Sequence, residues 1–268
     1  MIPKVIHYCW LSTDPMPAQL VECINSWKKA LPDYTIKLWN TSNFDIHCCK
    51  WVEDAYNQRK WAFACDYIRV YALYHEGGVY FDSDVYVRKN LDACLDNRFF
   101  SAIEAYPKET KELLDEGMID MDGNRLSNDA IIGIQLQAAI MGAEKGHPFL
   151  KECLDYYESH SFVDQGGNDS QIISPVIFAH IAEKYGFKYI DKEQNLLEGM
   201  HLYPSVRFAP NMDLVTKDAW AVHCCAGSWR WLSNNPWKHR MQVVKEHIKN
   251  ILFKLHIRGN EFRNRTSE

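Results

Sequence analysis

Apolar and polar positions along this chain recur with two periods, two and about three and a half, which predict strands and helices in alternation. Val5-Ile6-His7-Tyr8-Cys9-Trp10 reads as a buried first strand, followed by a loop carrying Pro15 and Pro17. Leu20, Cys23, Ile24 and Trp27 have helical spacing across 18–30, and Pro32 ends that helix. Tyr34 to Trp39 alternates and predicts a second strand. Strand, helix, strand within forty residues is the rhythm of a parallel α/β sheet. Trp61 to His75 is a helix that is apolar nearly all round, closed by Gly77-Gly78. Val79-Tyr80-Phe81 is then a short buried strand that delivers Asp82-Ser83-Asp84 at its carboxyl end. Open α/β sheets hold their ligands at that edge.

Further along, 130–143 fits either a helix or a strand–helix pair. Residues 149–158 and 174–185 have helical spacing, with Gly186 as the C-cap of the latter. Strands are expected at 188–190 and 219–224. A long amphipathic helix is expected over 237–257, with Met241, Val244, Ile248, Ile251, Leu252 and Leu255 on one side.

Composition narrows the class. The 268 residues are 47% hydrophobic and 24% charged, as in an ordinary globular protein. Twelve Phe, nine Trp and fourteen Tyr exclude a disordered chain. A formal charge of −5 argues against a general nucleic-acid binder. The nine cysteines are odd in number and form no CxxC pair, so they read as reduced, small core residues of a cytoplasmic protein. The first residues lack the pattern of a signal peptide, and the apolar run 130–143, broken by Gln135 and Gln137, is too short to span a bilayer.

From Arg230 onward, nine Lys/Arg stand against three Glu. Two readings stay open for this basic stretch with Trp237, Phe253 and Phe262: a solvated helix packed on the body, or peripheral contact with the anionic cytoplasmic face of a membrane.

The chemistry concentrates around 66–84. Asp82 and Asp84, one residue apart at a strand end, are suited to share a hard divalent cation, and in a strictly extended strand they would point the same way. Asp66 and Arg69 stand at i and i+3 on one helix face. That spacing alone would make a surface salt bridge, but their apolar neighbours (Tyr67, Ile68, Val70, Tyr71) imply that the pair lies in a cleft. His223, at the end of an expected strand, is either a core histidine or a ligand. Cys224 and Cys225 beside it either face the core or invite a softer metal such as zinc.

Three ordered blocks, DxxR at 66–69, GGxYxDxD at 77–84 and HxxxGSW at 223–229, carry a resemblance. Ile2 to Trp10 and Asn128 to Phe149 (with Met141-Gly142-Ala143 and Gly146-His147-Pro148-Phe149) extend it over roughly residues 1–230. The sequence resembles the nucleotide-sugar glycosyltransferases of the DXD type, and more narrowly family 32, the capsular-polysaccharide type of sugar transferase. The resemblance implies a GT-A-like α/β domain over 1–230, with a mostly parallel central sheet flanked by helices, and a basic helical C-terminal extension over 231–268. It implies a retaining, Mn²⁺- or Mg²⁺-dependent transfer of a hexose or N-acetylhexosamine from a nucleotide-diphosphate sugar. UDP-sugars are favoured over GDP-sugars, and the acceptor would be a glycan or lipid-linked glycan of surface polysaccharide synthesis.

By the same resemblance, Asp84 ligates the metal, and Asp82 meets the donor or the metal through water. His223 completes the metal shell, while Asp66 and Arg69 hold donor hydroxyls and phosphates. Trp10 stacks on the base or belongs to the core. Tyr80, Asn128, Ser228 and Trp229 line the donor site. The physical logic agrees: departure of the sugar leaves negative charge on a diphosphate, which a carboxylate-held cation neutralises. Two rival readings share part of this pattern. A haloacid-dehalogenase-type phosphatase also runs a strand into DxD, but that pattern wants Thr or Val where this chain has Tyr86. A sugar-nucleotide-binding protein without catalysis would keep the same residues.

Overall fold

The computed structural model describes residues 1–162 and 173–226. Among the described residues, eleven strands and six α-helices follow in order. They are β1 (Val5–Cys9), α1 (Ala18–Ala30), β2 (Thr35–Trp39), α2 (Lys50–Asn57), α3 (Trp61–Glu76), β3 (Gly78–Phe81), β4 (Val85–Val87) and β5 (Phe99–Ala105). Then come α4 (Pro107–Asp115), β6 (Ile134–Leu136), β7 (Ile140–Ala143), α5 (Pro148–Ser159), α6 (Ser174–Ala182), β8 (Gln194–Asn195), β9 (Met200–Tyr203), β10 (Phe208–Ala209) and β11 (Ala221–His223).

The central sheet has the order β2-β1-β3-β7-β5-β9-β8, with β6 paired to β5. Strands β2, β1, β3, β5 and β9 share one direction, and β7 and β8 oppose it. This is the mostly parallel α/β sheet expected. Both of its faces are covered, which is why β3 reads as an unbroken apolar run. Tyr80 packs in the core with Ile68, Leu73 and Trp51 of α3 and α2. Val79 and Phe81 point the other way, into a core with Trp27 of α1 and Phe208 of β10. A smaller sheet, β10-β11-β4, lies on this second side.

The Gly77-Gly78 turn is required by close approach. Gly78 has φ +111°, and a Cβ there would sit 2.7 Å from the Val5 carbonyl and 3.0 Å from His7 Nε2. The turn therefore lets β3 begin tight against β1. Gly142 on β7 is likewise small for packing, since a Cβ would meet the Phe100 ring at 2.1 Å.

Two expectations are corrected. Segment 188–190 is not a strand: the Tyr189 amide donates to the Gly123 carbonyl in a loop contact. Segment 130–143 contains no helix but two short strands, β6 paired with β5 and β7 sealed between β3 and β5; an apolar run of this length suits a strand as well as a helix. The expected helix at 237–257, and the division at 230/231, lie outside the described residues.

Candidate active site

The site forms where β3 ends. The chain does not continue extended through Asp82-Ser83-Asp84: the Val85 amide donates back to the Asp82 carbonyl at 2.9 Å, closing a turn. Strand β4 starts directly after, and β11 pairs antiparallel with it, setting His223 opposite Val85. That register returns a residue 139 positions away to the side of Asp84. His223 Nε2 lies 3.3 Å from Asp84 Oδ1. Ligand atoms of Asp82, Asp84 and His223 all fall within 4.8 Å of one another.

Arg69, projecting from α3, stands beneath this cluster with 5% exposure. Its Nη2 reaches Asp66 Oδ1 at 2.9 Å and Asp82 Oδ1 at 3.2 Å, and its Nη1 donates to the Ala138 carbonyl at 2.8 Å. The Tyr80 hydroxyl donates to Asp82 Oδ1 at 3.1 Å, and the Arg69 guanidinium stacks 5.1 Å from the Tyr80 ring centroid. The three-residue spacing of Asp66 and Arg69 is thus a buried pair, not a surface one. Desolvation makes such a pair costly unless each group is held. Burial lifts the Asp66 carboxyl to about 6, against the pull of Arg69 and a hydrogen bond to Ser174. Burial also opposes the Arg69 charge, but Asp82 and Asp66 outweigh it and hold the guanidinium well above its usual range.

Asp84 and His223 are held by each other. Burial would raise the Asp84 carboxyl, yet His223 and the Ala226 amide, which donates to Asp84 Oδ2 at 2.7 Å, bring it below the ordinary carboxylate value. Burial works against a charged imidazole at His223, and Asp84 overrides it, so its pKa lies well above the usual one. On the far side of the ring, Cys225 Sγ is 3.6 Å from His223 Nδ1 and 3.3 Å from the Pro210 carbonyl. Cys225 holds φ at +48°, a left-handed conformation that costs a non-glycine residue energy. Cys224 is buried, and Cys225 is exposed.

Two carboxylates and an imidazole nitrogen make an oxygen-rich donor set that fits Mn²⁺ or Mg²⁺ better than a thiolate-seeking ion. The residues present fit a divalent cation.

Trp10 follows β1 and is half-buried, with Nε1 donating to the Asp14 carbonyl at 3.1 Å. It lies on the same sheet edge as Asp82, since β1 and β3 are parallel neighbours. Tyr80 is 1% exposed, and its hydroxyl is given to Asp82. Asn128 is exposed in the loop before β6, where its carbonyl accepts from Arg125 at 2.9 Å; no contact joins it to the acidic cluster among the described residues. Ser228 and Trp229 lie outside the described residues. Sequence reasoning missed three contributors: Ser174 against Asp66, the Ala138 carbonyl against Arg69, and Glu104, a buried carboxylate on β5. A charged residue inside the apolar run Phe99-Phe100-Ser101-Ala102-Ile103-Glu104-Ala105 was the available signal for the last.

Residues 17–100, which hold the Asp66–Arg69 pair and Asp82-Ser83-Asp84, match the family described as glycosyltransferase sugar-binding region containing DXD motif. Among curated proteins, the chain is 29% identical over 153 residues to inositol phosphoceramide mannosyltransferase 3 of Schizosaccharomyces pombe, covering 56% of this chain and 35% of that one. It is 27% identical over 170 residues to mannosyl phosphorylinositol ceramide synthase SUR1 of Saccharomyces cerevisiae, covering 61% and 37%. The chain spans about a third of the length of these relatives. Solved structures that align include the PaToxG glycosyltransferase (TM-score 0.48, 17% identity, 68% of this chain and 69% of that). The galactosyltransferase LgtC with donor and acceptor sugar analogs also aligns (TM-score 0.41, 14% identity, 86% and 90%). Residues 17–100 are therefore similar to the sugar-binding region of glycosyltransferases that contain the DXD motif.

Proposed function

We propose that this protein transfers a hexose from a nucleotide-diphosphate sugar to a hydroxyl of a glycan or glycolipid, with a divalent cation held by Asp82, Asp84 and His223. The observation that supports it most is the convergence of those three side chains beside the buried Asp66–Arg69 pair, inside the DXD-containing region. When bound, the cation, with Mn²⁺ the first choice, would neutralise the charge that develops on the diphosphate as the sugar departs.

The chain's own groups do the positioning. Arg69 and Tyr80 fix Asp82, so that this carboxylate keeps one orientation at the turn. Asp66, bonded to Arg69 and Ser174, retains lone pairs for donor-sugar hydroxyls. Trp10 offers an aromatic surface for the base on the same edge.

The names of the relatives favour mannose as the sugar and a phosphoinositol-bearing sphingolipid as the acceptor over a capsular glycan. Retention of anomeric configuration belongs to this reading through the family resemblance alone. No helix among the described residues is long and apolar enough to cross a membrane. In this reading the protein works at the cytoplasmic face of a membrane, with the basic stretch after Arg230 as the element that would meet lipid.

The test is nucleotide release and product formation with a panel of UDP- and GDP-sugars, GDP-mannose first, with and without Mn²⁺. Turnover of one donor, abolished by EDTA and reduced at least about 1,000-fold in Asp84→Asn, is the expected result; removing a preorganised electrostatic group costs about 10²–10³, and losing the metal costs more. Metal-independent turnover would overturn the role given to Asp82, Asp84 and His223.

A further inference from the structure

Glu104 is a buried carboxylate that the donor-side chemistry leaves unused. It stands one residue from the carboxyl end of β5, the same edge as Asp82, because β5 and β3 run in one direction. Along β5, Phe100 and Ala102 face the core shared with Phe208 and Ala221 of the small sheet. The period of two puts Glu104 on that face as well, toward the end of β11 where His223 stands. The side chain is 7% exposed.

Its surroundings are polar but contain no cation in contact. Oε1 accepts from Gln135 Nε2 at 3.0 Å, its partner in the β5–β6 register, and from the Tyr106 hydroxyl at 3.2 Å. Oε2 has no hydrogen bond among the described residues, and Glu104 forms no ion pair among them. Burial raises its pKa; His223 pulls it down and Asp82 pushes it up, so both metal-site groups act on it electrically. Two neutral donors hold Oε1 and leave Oε2 open to a donor from outside. The arrangement makes sense if a hydroxyl from outside completes it.

We propose that Glu104 binds the acceptor hydroxyl through Oε2 and takes its proton during transfer, a role that rests on the glycosyltransferase reading above. In keeping with retention, the hydroxyl oxygen forms its bond to the anomeric carbon on the same face from which the bond to the diphosphate oxygen breaks. Its electron pair leaves with the nucleotide diphosphate, and the hydroxyl proton passes to Glu104 and then to solvent.

The test uses the full chain with Mn²⁺, the donor that wild type turns over, and octyl glycosides as probe acceptors. Glu104→Gln, nearly isosteric and still able to accept from Gln135, should lose about 10²–10⁴-fold in transfer, the usual worth of a general base. The dissociation constant for the nucleotide diphosphate with Mn²⁺ should stay within about threefold. Glu104→Asp should recover part of the transfer. Transfer within threefold of wild type in Glu104→Gln would overturn the proposal, and so would a parallel loss of nucleotide binding. A glycosyl azide of inverted anomeric configuration formed by Glu104→Ala in azide would overturn it too, making Glu104 a covalent nucleophile. A wild type that turns over no donor would count against the transferase reading itself, whereas an active wild type with an equally active Glu104→Gln counts against Glu104 alone.

Discussion

Two histidines, both inside the sequence blocks that carry the family resemblance, do opposite jobs. His7, in β1, is fully buried and has both nitrogens satisfied: Nε2 donates to the Gly77 carbonyl at 2.8 Å, and Nδ1 accepts from Trp39 Nε1 at 3.1 Å. That pattern demands the neutral ring, and burial accordingly lowers its pKa. His223 is only partly buried, faces Asp84, and is drawn toward its charged form despite desolvation. A satisfied buried ring ties strand to strand, whereas a ring left facing carboxylates at a strand end is available to a ligand. Motif membership does not distinguish them; their partners do.

The comparison breaks most visibly at Arg69, the cation shared by Asp66 and Asp82. Arg69→Met should leave both carboxylates uncompensated and cost about 3–5 kcal/mol. Urea or thermal denaturation would then show a melting point lower by roughly 6–20 °C for a chain of this size. Arg69→Lys should recover part of that loss, since a point charge replaces a fork. A variant as stable as wild type would mean the pair is not a structural cation–carboxylate unit at all.

His7→Gln should come next. It strands the Trp39 N–H or the Gly77 carbonyl at about 1–3 kcal/mol, read as a melting point roughly 2–12 °C lower, with metal-dependent nucleotide binding kept. The pH dependence follows from the direction of the shift. Below the unfolded value of about 6.5 the unfolded state binds a proton that folded His7 refuses, so wild type loses stability as pH falls. The stability gap between wild type and His7→Gln should therefore narrow from pH 7 toward pH 5. A gap that is constant or widens would show that His7 is charged in the fold.

The fold was legible wherever a single face or a glycine stop was written into the local pattern. Leu20, Cys23 and Trp27 marked α1, and Gly77-Gly78 marked the end of α3. Strand β7, sealed between β3 and β5, carried no alternation to separate it from a helix, and the alternation of Ile134-Gln135-Leu136 in β6 is too short a run to decide. The candidate-site residues of α3 and β3 were legible because they are close in sequence. The contribution of His223 depends on the β4–β11 register, and that of Ser174 and Glu104 on side chains arriving from remote elements; local spacing encodes neither. The GHPF block is structural in large part: His147 is buried against the Glu198 carbonyl, and Phe149 fills the core.

The smallest effect sharpens the His223 side. Cys225→Gly removes the thiol from Nδ1 while relieving the left-handed strain at φ +48°. Stability should hold or rise slightly, while Mn²⁺ affinity, followed by titration, should fall about 10-fold, as expected when the outer partner of a metal-bound histidine is lost. Unchanged affinity would mean the thiol does not orient the ring.

The central claim is that Asp82, Asp84 and His223 form a cation-dependent nucleotide site, while His7 is scaffold. The most direct measurement is a thermal-shift titration of UDP and GDP with and without Mn²⁺ on wild type, Asp84→Asn and His7→Gln. At a hundred times its dissociation constant a nucleotide adds about 2.7 kcal/mol, or roughly 5–10 °C here. The account predicts that shift for wild type only with Mn²⁺, the same shift from a lower baseline for His7→Gln, and none for folded Asp84→Asn. A full Mn²⁺-dependent shift in Asp84→Asn would contradict it.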